Sequence, residues 1–123
     1  MRTIKFRGKS LDDGELVYGF FSKGGTVNPN TGEGRERYLI DDGHYHDVDP
    51  DTIGQYTGLA DKDGKEIYEG DIVETFIGNL EIIWSQGLAC YRLQDGGGSL
   101  YSIDGMEMEV VGDIHDNPEL LTE

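Results

Sequence analysis

Residues 54–73 read Gly54-Gln55-Tyr56-Thr57-Gly58-Leu59-Ala60-Asp61-Lys62-Asp63-Gly64-Lys65-Glu66-Ile67-Tyr68-Glu69-Gly70-Asp71-Ile72-Val73. Two short extended pieces, Gln55 to Leu59 and Lys65 to Tyr68, flank the turn signal Asp61-Lys62-Asp63-Gly64. Because such a turn folds the two pieces against each other, we expect Tyr56 and Tyr68 to form a cross-strand aromatic pair. The stretch therefore predicts a β-hairpin, and Gly70-Asp71 opens the apolar strand that follows it.

The glycines and acidic residues of this stretch favour structural roles. Gly58 and Gly70 are expected at backbone positions with unusual φ or close approach, where a side chain is unfavourable. The turn at Asp61 also bears comparison with a calcium-binding loop. Such a loop requires a late bidentate Glu and flanking helices, and here Lys65 occupies a ligand position. An ordinary turn is the stronger interpretation.

Short apolar segments continue through the rest of the chain at intervals of roughly ten residues, a spacing typical of a small barrel or roll. They are Ile72 to Ile77, Leu80 to Trp84, Leu88 to Leu93, Leu100 to Ile103 and Met106 to Val111. Gly78-Asn79 predicts a two-residue hairpin turn of type II′, since glycine tolerates positive φ at the first position. Cys90 is expected to be a small buried hydrophobe, and Asn117-Pro118-Glu119 predicts one helical turn at the tail.

The first part of the chain predicts a β meander over residues 1–50. Arg2 to Lys9 alternates apolar and polar residues as a strand does, and it places Lys5, Arg7 and Lys9 on one face. Leu16 to Phe21 and Arg35 to Ile40 predict two more strands. Between them, Ser22 to Gly34 is rich in glycine and contains Asn-Pro, so we expect a mobile loop there. Pro50 marks the boundary with a second domain over residues 51–123.

Three segments together resemble the YopX family. They are residues 54–73, the opening Arg2-Thr3-Ile4-Lys5-Phe6-Arg7 and the closing Val111-Gly112-Asp113-Ile114-His115-Asp116-Asn117-Pro118-Glu119-Leu120-Leu121. The resemblance implies a phage or prophage accessory protein whose C-terminal part is similar to an SH3-type barrel, with no established activity, catalytic residue or cofactor. With the strand pattern, it predicts a mostly β fold in which an N-terminal β meander packs on a C-terminal SH3-like small barrel.

The charge distribution suggests what kind of partner the protein binds. The net charge of the 123 residues is −15; residues 1–50 carry seven Lys/Arg against nine Asp/Glu, and residues 51–123 carry three against sixteen. The second part would repel a phosphate backbone, so nucleic acid is a disfavoured partner. We expect a non-enzymatic protein-binding module that uses an acidic surface formed by Glu74, Glu81, Glu107 and Glu109. A sharper version of this hypothesis is mimicry of the charge of DNA towards a host nucleic-acid-binding protein.

Two alternatives from other classes remain open. A nucleic-acid-binding module would use the basic strand face of Lys5, Arg7 and Lys9. A small metal-dependent enzyme would use His44 and His46, which point to one face if the segment is extended. No motif indicates a cofactor. Exposed edge strands would also allow a homo-oligomer.

The sequence favours the reducing cytoplasm of a bacterial host. A single cysteine excludes an intramolecular disulfide. The chain has no apolar run of the length that a signal peptide or a membrane span requires, so no membrane association is expected.

Overall fold

The computed structural model describes residues 3–121, which form mostly β-strands in antiparallel pairs. This confirms the predicted fold class. The chain divides into two compact units, the first ending at Gln55 and the second beginning at Tyr56. No helix between residues 3 and 121 has the length and apolar composition that crossing a membrane requires.

The first unit is an antiparallel sheet built by successive hairpins. Its strands are β1 (Phe6–Lys9), β2 (Leu16–Val27), β3 (Gly34–Asp41), β4 (Tyr45–Asp47) and the first two residues of β5 (Gly54–Ala60), with a 3-10 helix at Pro50–Thr52. The order is β4-β3-β2-β1-β5, which confirms the predicted meander of strands. The side chains of Ile40 and Val48 are fully buried in this unit, and the rings of Phe6, Phe21 and Tyr38 form a row across β1, β2 and β3.

The predicted mobile loop over Ser22 to Gly34 is wrong for its first half. Ser22 to Val27 continues β2 and pairs residue by residue with β3, from Ser22 opposite Leu39 to Val27 opposite Gly34. The connection spans only residues 28–33, where the Asn28 N–H donates to Glu33 O at 2.8 Å. Pairing of the backbone needs no buried side chain, so glycine-rich composition does not exclude a strand at this position.

The second unit contains the remaining strands of the described chain. They are the end of β5, β6 (Glu66–Tyr68), β7 (Asp71–Thr75), β8 (Gly78–Ser85), β9 (Cys90–Gln94), β10 (Leu100–Ser102) and β11 (Glu109–Asp113), followed by a 3-10 helix at Pro118–Leu121 that confirms the predicted turn at the tail. Five of these strands form a sheet in the order β10-β9-β8-β7-β11. Since β10 and β11 remain its two edges over residues 3–121, a closed SH3-like barrel is not confirmed.

One apolar cluster lies inside the second unit. Its buried members are Ile67, Val73, Leu80, Ile82, Leu93 and Met108. Tyr56 and Tyr68 are cross-strand partners on β5 and β6 with ring centroids 5.5 Å apart, which confirms the predicted aromatic pair. Gly58 and Gly70 have φ of 87° and 92°, which confirms their predicted backbone conformation.

Two local predictions in this unit are wrong. The β7–β8 turn is Phe76-Ile77 rather than Gly78-Asn79, because Thr75 pairs with Gly78 and its hydroxyl donates to Gly78 O at 2.9 Å. Cys90 is exposed rather than buried. The preceding Ala89 has φ of 52°, so residues 88 and 89 belong to a turn and β9 begins only at Cys90.

Candidate functional site

Acidic side chains from two separate segments line one groove on the second unit. Glu74 and Thr75 come from β7, Phe76 from the turn after it, Glu107, Met108 and Glu109 from the segment that leads into β11, and Lys62 from the turn between β5 and β6. The groove has a volume of about 300 Å³. We call it the acidic groove.

The pairing of β7 with β11 brings the carboxylates together. Glu74 and Glu109 are direct cross-strand partners, an arrangement in which like charges repel. Lys62 offsets part of this repulsion, since its Nζ lies 3.5 Å from Glu109 Oε2. The charge of Glu109 is the main reason that the pKa of Lys62 is raised. Glu74 and Glu107 have exposed side chains.

A buried carboxylate fixes one wall of the acidic groove. Asp61 is 8% exposed, and its Oδ1 accepts hydrogen bonds from the N–H groups of Asp63 and Lys65, each at 2.9 Å. Its Oδ2 accepts from the Val110 N–H at 3.0 Å. These bonds, that of Val110 foremost, hold the pKa of Asp61 below its ordinary value. The turn predicted from Asp61 onward therefore also anchors β11.

The acidic groove has apolar parts as well. Met108 is almost fully buried beneath it, and Phe76 stands at the tip of the β7–β8 turn with 89% of its surface exposed. A hydrogen bond from the Ile77 N–H to the Thr75 hydroxyl, at 3.2 Å, closes this turn. Carboxylates beside an exposed aromatic ring fit a cationic side chain with an apolar neighbour.

Glu81 lies apart from the other three predicted glutamates. It is on β8, opposite Ile72 and Gln94, and it lines a different depression together with Gln94, Asp95 and Gly96. Burial, followed by the nearby charge of Glu69, raises the pKa of Glu81. The structure thus brings together Glu74, Glu107 and Glu109 and separates Glu81 from them.

The predicted basic face of the first strand is not formed. Lys5 precedes β1, and Arg7 is only 6% exposed. Lys9 is half-buried, and its N–H donates to the Thr52 hydroxyl at 2.9 Å. Alternation along a strand places Arg7 and Lys9 on the same side, but burial of Arg7 removes it from any surface that a phosphate backbone would contact.

The two histidines that were candidates for a metal site have other environments. His44 lies in the bend before β4, and its N–H donates to Asp42 Oδ1 at 3.1 Å. His46 is on β4, with Nε2 3.0 Å from the same oxygen. The His44 N–H is the main cause of the lowered pKa of Asp42. Over residues 3–121, no group of three or more His, Cys, Asp or Glu side chains is arranged to hold a metal ion.

Comparison with known proteins identifies relatives by sequence and by fold. The family model described as YopX protein matches residues 5–122. No curated protein matches the chain. The crystal structure of protein EF1440 from Enterococcus faecalis is similar, with a TM-score of 0.59 and 23% sequence identity, over 99% of this chain and 100% of that one. At this identity, the likeness shows a shared fold.

Proposed function

The chain belongs to the YopX family, and from that premise we propose that it is a non-enzymatic protein-binding module of a phage or prophage, acting in the cytoplasm of the bacterial host. The acidic groove is its binding surface. The partner presents a cationic segment with at least one apolar side chain next to a lysine or arginine.

The observation that supports this proposal is the convergence of Glu74, Glu107 and Glu109 on one groove beside an exposed aromatic ring. Phe76 is 89% exposed, and aromatic side chains of this kind frequently act as anchors at protein interfaces. The carboxylates favour a cationic partner and accelerate its association, because complementary charge steers the encounter. The exposed ring of Phe76 gives the apolar part of the partner a surface to contact.

In a more specific form of this proposal, the acidic groove binds a host protein that itself binds nucleic acid. Such proteins carry cationic surfaces for phosphate contact, and the net charge of −15 of this chain would compete with DNA for them. Displacement of DNA from a captured host protein by the purified chain would support this form. Capture of proteins without cationic surfaces would contradict it.

The experiment compares proteins captured from a bacterial lysate by the tagged wild-type chain and by two variants. In the first variant, Glu74→Gln and Glu107→Gln remove charge from the acidic groove and leave the ion pair of Glu109 with Lys62 in place. The second variant, Glu81→Gln, removes a charge from the same sheet outside the groove. Captured proteins that are lost with the first variant, kept with the second and released by salt support the proposal. Equal capture by all three chains contradicts it.

A further inference from the structure

The outer part of the β2–β3 hairpin projects as a two-stranded ribbon. Its base is fixed by Arg37, whose Nε and Nη2 donate to the two carboxylate oxygens of Asp47 at 2.9 and 2.8 Å. Beyond that point, β1 pairs with β2 only as far as Gly19, and β4 pairs with β3 only from Leu39 onward. Every residue from 20 to 36 is exposed. We call residues 20–36 the arm.

A ribbon of this kind is not expected to be very stable alone in water. A two-stranded hairpin without further strands or a packed face is only marginally stable. The side of β2 that faces away from β3 is a long and regular edge in the arm. It is regular because Phe20 to Val27 contains no proline and pairs with β3 on the other side without a bulge. Charges, prolines and bulges are the usual features that prevent an edge strand from pairing with another chain, and Lys23 is the one charged residue on this edge.

The hydrogen-bonding direction of the edge follows from the arm's own ladder. The Asn28 N–H donates to Glu33 O, and hydrogen-bonded pairs alternate along an antiparallel ladder. The backbone groups of Thr26, Gly24 and Ser22 therefore point towards β3. Those of the alternate residues point away from it, namely Phe21, Lys23, Gly25 and Val27.

We propose that two copies of this chain associate by pairing these β2 edges, antiparallel, about a twofold axis that passes beside Gly24. In this register Lys23 lies opposite Gly25 of the second copy, and Phe21 lies opposite Val27. Ser22 lies opposite Thr26, and the two Gly24 residues face each other on the axis. The outward-pointing backbone groups then meet one another along the whole edge.

This register is favoured over its neighbours by the side chains it places opposite each other. An axis at Lys23 would oppose two lysines, which repel. An axis at Gly25 would oppose Phe21 and Pro29, and proline has no N–H to donate. The axis at Gly24 instead makes two pairs of exposed apolar side chains, since Phe21 is 36% and Val27 is 69% exposed. Aromatic–β-branched pairs of this kind stabilise an antiparallel ladder.

A cysteine placed on the axis tests the register. With Cys90→Ser as background to remove the exposed thiol, Gly24→Cys should form a covalent dimer on mild oxidation. Directly opposed residues that are not hydrogen-bonded have Cα atoms about 4.5 Å apart, which suits a disulfide. A Cβ at residue 24 meets only Leu39 Cδ1, at 3.8 Å. Thr26→Cys in the same background is the matched control and should not crosslink. Equal crosslinking of the two, or none in either, overturns the proposed pairing.

A proline on the edge tests the association without crosslinking. The Gly25 N–H points away from β3, so Gly25→Pro blocks the edge and leaves the arm's own ladder intact. Gly25→Ala is its control, because a Cβ there lies 3.6 Å from Arg35 O and keeps the N–H. By sedimentation of the full chain, we expect the proline to weaken dimerisation about ten-fold or more and the alanine to change it little. A wild-type chain that stays monomeric up to about 1 mM overturns the proposal. The β2 edge would then be a site for pairing with a strand of another protein.

Discussion

The Asp61 carboxylate accepts a hydrogen bond from the Val110 N–H at 3.0 Å, across 49 residues of sequence. The same carboxylate closes its own turn through Asp63 and Lys65. It therefore couples a local turn to the strand that carries one side of the acidic groove. The next residue strengthens this link, since the Lys62 N–H donates to Met108 O at 2.9 Å.

Replacement of Asp61 should destabilise the second unit. Asp61→Ala leaves three N–H groups without their acceptor, and we expect the free energy of unfolding to fall by about 2–4 kcal/mol, because hydrogen bonds to a charged group are among the stronger ones. Urea denaturation measures the change. Asp63→Ala is the control, since Asp63 is exposed and contributes its backbone N–H to this turn. Equal stability of the Asp61→Ala variant and the wild type would contradict this role.

The same contacts predict a pH dependence. The pKa of folded Asp61 is lowered from the ordinary 3.8, so the folded state favours the charged carboxylate. Its contribution to stability is present above the unfolded pKa and is lost as pH falls through the folded pKa. The stability difference between wild type and Asp61→Asn should therefore shrink as pH falls from about 5 to about 2. A difference that stays constant over this range would show that the charge of Asp61 is not involved.

The contact between the Tyr56 and Tyr68 rings should stabilise the folded state beyond what the burial of each ring alone provides. Tyr68 is 2% exposed, so we expect Tyr68→Ala to cost about 3–5 kcal/mol, as for other large aromatic side chains. A double-mutant cycle with Tyr56→Ala should give a coupling of about 1 kcal/mol. The Tyr68 hydroxyl also donates to Glu66 Oε1 at 3.1 Å, so Tyr68→Phe should lose a smaller amount, about 1 kcal/mol. Additive effects of the two alanines would mean that the rings do not interact.

Features set by neighbouring residues could be predicted from the sequence. The turn at Asp61, the facing of Tyr56 and Tyr68 and the positive φ of Gly58 each depend on a short hairpin and its turn residues. The groove could not be predicted as a site, because Glu74 meets Glu109 only through the pairing of β7 with β11. The sequence alone identified four acidic residues but not which of them line the same groove.

The errors also have physical reasons. Ser22 to Val27 lacks the apolar alternation of a buried strand because both of its faces are exposed, so hydrophobic pattern gave no signal. The Phe76-Ile77 turn was not predicted because a turn rarely contains two large apolar residues. In the structure, two hydrogen bonds of the Thr75 hydroxyl close it. The exposed ring of Phe76 indicates a binding surface. The sequence does not show that this residue is exposed.

Removal of the Glu81 charge should stabilise the fold near neutral pH. Burial and the charge of Glu69 raise the pKa of folded Glu81 above the ordinary 4.5, so the folded state disfavours the charged form. The resulting penalty is fully present above the folded pKa and disappears as pH falls below the unfolded pKa. Glu81→Gln should therefore raise Tm slightly at pH 7 and leave it unchanged at acidic pH. A lower Tm for Glu81→Gln at pH 7 would contradict this account.

Gly19 should not tolerate a side chain. A Cβ on Gly19 would overlap the carbonyl oxygen of Asp41, which is backbone and has little room to shift. We expect Gly19→Ala to cost about 1–3 kcal/mol, as overpacking does elsewhere. Gly34→Ala, whose Cβ would lie 3.9 Å from Thr26 O, is the matched control on the same hairpin and should be near neutral. Thermal unfolding of both variants checks the comparison, and equal losses would contradict it.

The most direct test of the acidic groove as a binding surface is a titration with a fluorescent peptide of alternating lysine and leucine. Anisotropy should show binding by the wild-type chain that weakens with salt, since exposed charges are screened over about 10 Å at 0.1 M. The account predicts that Glu74→Gln with Glu107→Gln weakens binding about ten-fold and that Glu81→Gln has little effect. Wild-type affinity in the doubly substituted chain would contradict the central claim.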